Sequence, residues 1–69
     1  MKNFSIGYKI KELRLENNLS QAKLGELLLV SQDTISIWET GKALPSTEYI
    51  IAICKKFDIS ADYLLGIKE

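Results

Sequence analysis

The sequence has no histidine, a single cysteine and a single proline in 69 residues. Without histidine, and with Cys54 as the sole thiol, it offers no plausible ligand set for zinc or iron and cannot form an internal disulfide. No cofactor is expected, and a reducing cytoplasm is the natural setting. Apolar runs are short: none approaches the roughly 18 residues needed to span a bilayer. The opening MKNFSIGYK has neither an apolar signal core nor a small-residue cleavage site. No membrane partner is anticipated. The means of catalysis are also missing, since there is no imidazole, the thiol falls on an inward position, and no acid pair shares a plausible pocket. The chain is therefore expected not to be an enzyme. An excess of one charge is absent too, with nine Lys+Arg against nine Asp+Glu. The basic face that usually marks a nucleic-acid binder is not there in bulk.

What is present is a core. Hydrophobic residues make up 46% of the chain, enough for one small domain spanning 1–69. Their spacing is mainly three and four, a helical period, and no segment alternates strictly, so the expected class is all-α. Ile6, Ile10 and Leu13 form one stripe behind a possible Ser5 cap, and Asn17-Asn18 ends that helix. Ser20 opens a second helix with Leu24 and Leu28 on one face and Leu27 at its edge. A break near Leu29-Val30 leads to Ser31, which caps a third helix with Ile35 and Trp38 inward and Gly41 as its stop. Pro45 and Ser46 open a fourth, holding Ile50, Ile53, Cys54 and Phe57. After a turn at Asp58-Ile59, Ser60 starts a short fifth with Tyr63, Leu64 and Leu65, and Gly66 stops it. Two short helices joined by a tight turn, the second opening on small polar residues, describe a helix-turn-helix at about 20–40. Its second helix could lie in a DNA major groove with its N-terminal end at the base edges.

The stretch LSQAKLGELLLVSQDTISIWETGKALPS resembles the helix-turn-helix of the phage-repressor and Cro family, the lambda and 434 repressor type. The matching residues are Leu19, Ser20, Gln21, Leu24, Val30, Ser31, Thr34, Ile35, Ser36, Trp38, Glu39, Gly41, Lys42 and Pro45. Ile6, Gly7, Ile10, Leu13 and Arg14 resemble the family's first helix, and ISADYLLG resembles its fifth. The resemblance implies a compact five-helix repressor-like DNA-binding domain, bacterial or phage-encoded, of phage or mobile-element style. It implies that Gln21 caps the second helix and bonds a backbone phosphate, a contact that sets register without reading sequence. It also implies an Arg14–Glu39 pair bridging the first helix to the third, with Trp38 in the core as structural support. A homodimer contact would fall on Ile59, Tyr63 and Leu64, whose rival role is ordinary core. The sequence departs from the pattern at Leu29, where the family often has glycine. If that position is left-handed, leucine costs about 1–2 kcal/mol. The turn is then either reshaped or offset by packing of Leu29. A second departure is Ile37, at a position that is commonly polar or basic.

Gln32, Asp33, Ser36 and Ile37 are the outward residues of the third helix. Glutamine can bond adenine N6 and N7, aspartate can accept from cytosine N4, and an apolar side chain can sit against a thymine methyl. A carboxylate and an isoleucine on one exposed face make sense if that face reads bases. Ser31, Thr34, Thr40 and Lys42 are candidates for phosphate contacts, and Lys9 and Lys11 could add charge at the margin. Residues 19–45 carry Lys23 and Lys42 against Glu26, Asp33 and Glu39, a net of minus one. So little positive charge favours a dimer on a palindrome over tight binding by one copy. The expected function is a sequence-specific, double-stranded-DNA-binding transcriptional regulator, most simply a repressor, with no small-molecule ligand evident. The alternative is a protein-interaction module, antitoxin- or adaptor-like, using Leu29, Ile37 and Leu44.

Overall fold

The structure, a computed structural model, describes residues 5–67. The first four residues, part of the stretch read as lacking a secretion signal, and residues 68–69 lie outside the described span. Five helices follow in order: α1 (Ile6–Glu16), α2 (Gln21–Leu28), α3 (Gln32–Glu39), α4 (Thr47–Phe57) and α5 (Ala61–Leu64). The described residues contain no strand.

Every helix starts at a serine. The hydroxyls of Ser5, Ser20, Ser31 and Ser60 accept from the backbone N–H three residues on, giving a partner to a donor that the first turn leaves unpaired. Ser46, ahead of α4, has the extended cap conformation but makes no side-chain cap bond. Every helix also closes on a left-handed residue: Asn18, Leu29, Gly41, Asp58 and Gly66. The residue after each donates back across the last turn, Leu19 to Arg14, Val30 to Gly25, Lys42 to Ile37, Ile59 to Cys54 and Ile67 to Asp62, at 2.9–3.1 Å. These stops use residues that tolerate a positive φ, with one exception.

That exception is Leu29, at φ 61° and ψ 39°. Both readings offered for it from the sequence fail. The turn is not reshaped, because Leu29 and Val30 make the closing bonds of an ordinary left-handed stop. Nor does packing of the side chain offset the strain, since Leu29 is 89% exposed.

The core takes Ile10 and Leu13 from α1, Leu24 and Leu28 from α2, Ile35 and Trp38 from α3, Ile53 from α4 and Leu64 from α5. Two glycines let backbones approach. A Cβ on Gly7 would collide with the Trp38 carbonyl oxygen, so α1 lies directly on the end of α3. A Cβ on Gly25 would sit 2.6 Å from the Val30 carbonyl oxygen, which keeps the turn between α2 and α3 tight. Trp38 meets Tyr49 of α4 with ring centroids 5.3 Å apart and planes tilted by 52°.

Lys9 differs from expectation. It is buried, with its ammonium 4.5 Å from the centre of the Tyr63 ring, and it ties α1 to α5 rather than facing a groove. Leu64 differs too. It is fully buried, so its side chain offers no surface to a second copy, and the core role expected as its rival is the correct one. Ile59 and Tyr63 are partly buried against the same core.

The strain at Leu29 has a measurable consequence. Leu29→Gly relieves a left-handed leucine without removing a buried contact, so it should stabilise the domain by about 1 kcal/mol after the extra freedom of glycine in the unfolded chain is counted. Urea denaturation checks this: the midpoint should rise with an unchanged slope. A fall would mean that the exposed leucine contributes packing absent from this structure.

Candidate nucleic-acid interface

α3 presents one end and one face to solvent. Gln32, Asp33 and Ile37 are exposed, while Ser36 and Thr34 are partly buried beside them. Ile35 and Trp38, on the opposite side of the same helix, are buried. The helical period therefore separates a core face from an outward face that includes every residue expected to read bases. Gln32, Asp33 and Ile37 have no side-chain hydrogen bond or ion pair within the described residues, so their chemistry is available to an outside partner.

This face is fixed by a charged anchor behind it. Arg14 of α1 donates from Nε to Glu39 Oε2 at 2.7 Å and from Nη2 to Oε1 at 3.1 Å. Its Nη1 donates to the Leu19 carbonyl at 2.9 Å, in the link between α1 and α2. Gln21 of α2 completes the set, its Nε2 donating to Glu39 Oε1 at 3.1 Å. The side chains of Arg14 and Glu39 are 10% and 3% exposed. Hydrogen bonding to Glu39 raises the Arg14 pKa above its ordinary value, burial pulls the other way, and the attraction of the two charges adds to the rise. The expected bridge from the first helix to the third is present, and it also takes in the second.

The anchor revises the role of Gln21. The helix cap is Ser20, whose hydroxyl accepts from the Lys23 N–H at 3.0 Å. Gln21 is the first residue inside α2, and one of its two amide hydrogens goes to Glu39. The second amide hydrogen has no acceptor among the described residues.

The other phosphate candidates divide on proton counting. Ser31 and Thr34 hydroxyls lie 2.9 Å apart and share one proton, leaving the other free to donate. Thr40 cannot donate in this arrangement: its single hydroxyl proton lies between the Ser36 and Ile37 carbonyls, at 2.9 and 3.2 Å. In this arrangement the Thr40 hydroxyl closes the last turn of α3. Lys42 is exposed on the turn after α3.

Charge on this side is nearly spent internally. Glu39 is paired with Arg14, and Lys23 pairs with Glu26 at 3.3 Å, leaving Asp33 and Lys42 as the unpaired charges of residues 19–45. No group of His, Cys, Asp and Glu among the described residues could hold a metal ion. Cys54 is half-buried, and burial raises its thiol pKa away from the reactive thiolate. No described helix is long and apolar enough to cross a membrane.

Residues that the sequence pattern missed are Gly25 and Lys9. Glycine inside an otherwise helical pattern is a signal for close backbone approach, and Gly25 carries it. The burial of Lys9 had no comparable signal, because its partner Tyr63 lies four helices further along the chain.

Two short helices joined by a tight turn, with the second anchored behind its outward face, form a helix-turn-helix, and the comparisons agree. The helix-turn-helix family profile matches residues 10–64, and the chain belongs to that family. It is 43% identical over 61 residues to the HTH-type transcriptional activator BcrR of Enterococcus faecalis, covering 88% of this chain and 30% of that protein. It is 37% identical over 60 residues to repressor protein C2 of Salmonella phage P22, covering 87% of this chain and 28% of the repressor. Its fold matches the P22 c2 repressor in complex with a synthetic operator, with a TM-score of 0.81, 36% identity, and 88% and 92% of the two chains covered. The resemblance to phage repressors therefore holds in sequence and in fold. The chain spans less than a third of the length of BcrR and of C2. These relatives are transcriptional regulators rather than enzymes.

The anchor predicts a non-additive mutant pair. Glu39→Met leaves the Arg14 guanidinium buried without its acid and should destabilise the domain by about 3 kcal/mol or more. Arg14→Met with Glu39→Met should be less damaging than either change alone, because no buried charge is left unpaired. Chemical denaturation of the two single variants and the double variant measures the coupling, and simple additivity would contradict a buried pair.

Proposed function

We propose that this chain binds double-stranded DNA sequence-specifically and regulates transcription, acting as a repressor and as a homodimer on a palindromic operator. The carrying observation is that Gln32, Asp33 and Ile37 stand exposed and unpartnered on the helix that the Arg14–Glu39–Gln21 anchor holds rigid. In this reading Gln32, Asp33, Ser36 and Ile37 contact base edges. Gln21, Lys42 and the Ser31–Thr34 hydroxyl pair contact phosphates.

With Asp33 and Lys42 as the unpaired charges here, few phosphates are neutralised. Affinity then rests on base contacts and on two copies binding together. The molecule measures 28 × 24 × 23 Å, so two copies fit side by side with recognition helices about 34 Å apart, one turn of DNA. Ile59 and Tyr63 remain as the residues for the contact between copies. Relatives named as an activator and as a repressor share this domain, so the repressor assignment rests on the phage protein.

A second reading has its own observation. Leu29 and Leu44 are 89% and 68% exposed, and Ile37 is 40% exposed, which suits a protein-interaction module, antitoxin- or adaptor-like. A stoichiometric protein partner, with no duplex shift at low salt, would favour it.

On a selected operator, Gln32→Ala should weaken binding roughly 10- to 100-fold, the size of one bidentate base contact. Lys42→Ala should weaken all sequences alike and reduce the slope of log affinity against log salt by about 1. Fluorescence anisotropy titrations measure both. Wild-type affinity in Gln32→Ala would remove this face from the DNA interface.

A further inference from the structure

The helix that reads DNA in the function proposed above carries an acid where a phosphate would be repelled. Asp33 is in the first turn of α3, exposed, and without an ion pair or hydrogen bond among the described residues. A carboxylate only accepts. In the major groove the available donors are the exocyclic amines of adenine and cytosine. Adenine sets an N7 acceptor beside its amine, which suits the two-faced amide of Gln32 and repels a carboxylate. Cytosine's N4 amine has an acceptor on one side only, the O6 of its paired guanine, and a C–H on the other, which suits Asp33 better.

Each exocyclic amine has two hydrogens. One pairs with the opposite base and the other points into the groove. Methylation at N4 replaces that groove hydrogen with a methyl group, so the donor is lost and its place is filled.

Ile37 lies four residues after Asp33, on the same face and one turn on. A turn rises about 5.4 Å, a little under two steps of a DNA duplex at about 3.4 Å each. The apolar side chain therefore meets a pyrimidine methyl within about two base pairs of the cytosine that Asp33 reads.

We propose that Asp33 and Ile37 make this protein a reader of pyrimidine methylation, with binding blocked by N4-methylation of one cytosine in each half-site and strengthened by the C5 methyl of a nearby thymine. This rests on the DNA-binding reading and adds to it a means of control: an enzyme that methylates cytosine N4 would release the protein from its site.

The test uses the wild-type chain and a duplex site selected from a random pool. Each cytosine is replaced singly by N4-methylcytosine and each thymine by uracil. One cytosine should show a loss of roughly 10- to 100-fold on N4-methylation. One thymine within about two base pairs should show a loss of roughly fourfold as uracil, the worth of one methyl group. Asp33→Ala should abolish the first penalty and leave the second, and Ile37→Ala should do the reverse. Both residues are exposed, and circular dichroism checks that the variants keep their helices. Tolerance of N4-methylation at every cytosine overturns the proposal, as does an equal penalty in wild type and Asp33→Ala. In either case a loss of binding in Gln32→Ala would leave the DNA-binding reading intact. A pool that yields no preferred site overturns both.

Discussion

The Arg14–Glu39 pair is the interaction on which the rest of this domain depends. A chain of 69 residues buries few large side chains, and α5 is a single turn of four residues. A hydrophobic core of that size tolerates small slides between helices, because apolar contact has little direction. The bidentate pair is directional. It fixes the end of α3 against α1, and the added bonds to Leu19 and Gln21 fix the entry to α2 by the same two side chains. Gly7 makes this possible by letting α1 lie against the Trp38 carbonyl. Arg14 and Glu39 are too buried to meet DNA directly. They hold the outward face of α3 at one angle.

Around that anchor, local rules do most of the construction. Serine opens each helix and a left-handed residue closes it, so every boundary is specified within a few residues of itself. This is why the helix count, the starts and stops, and the inward stripes were legible in the sequence. The pair itself was legible through resemblance and agrees with the observed geometry. What could not be read were properties that depend on distant elements. The burial of Lys9 requires Tyr63, and the burial of Leu64 requires α5 to pack against α4 and α1. Thr40 reads as a free hydroxyl until the last turn of α3 brings two carbonyls to it.

Leu29 illustrates a different limit. Its left-handed conformation follows from where the helix must stop, and the bonds of the turn are complete. Leucine is a costly choice for that stop, and its side chain gains nothing from the rest of the domain. Sequence alone could pose the cost but not say whether packing offset it. The candidate site was legible in a similar measure. Gln32, Asp33 and Ile37 fell on the outward face as the helical period required, while the proton counting that separates Ser31 and Thr34 from Thr40 needed coordinates.

The electrostatic character of the outward face follows from the same anchor. Glu39 lies inside it, Lys23 and Glu26 satisfy one another, and the remaining acid and base leave the surface close to neutral. In the proposed DNA-binding role, such a face gains little from phosphate attraction and discriminates through base edges. The most direct measurement is therefore selection of bound sites from a random duplex pool at low and moderate salt. The account requires an enriched inverted repeat, with half-sites about one helical turn apart and a shallow loss of affinity with salt. Retention of duplex at low salt with no enriched sequence, or no retention at all, would contradict it.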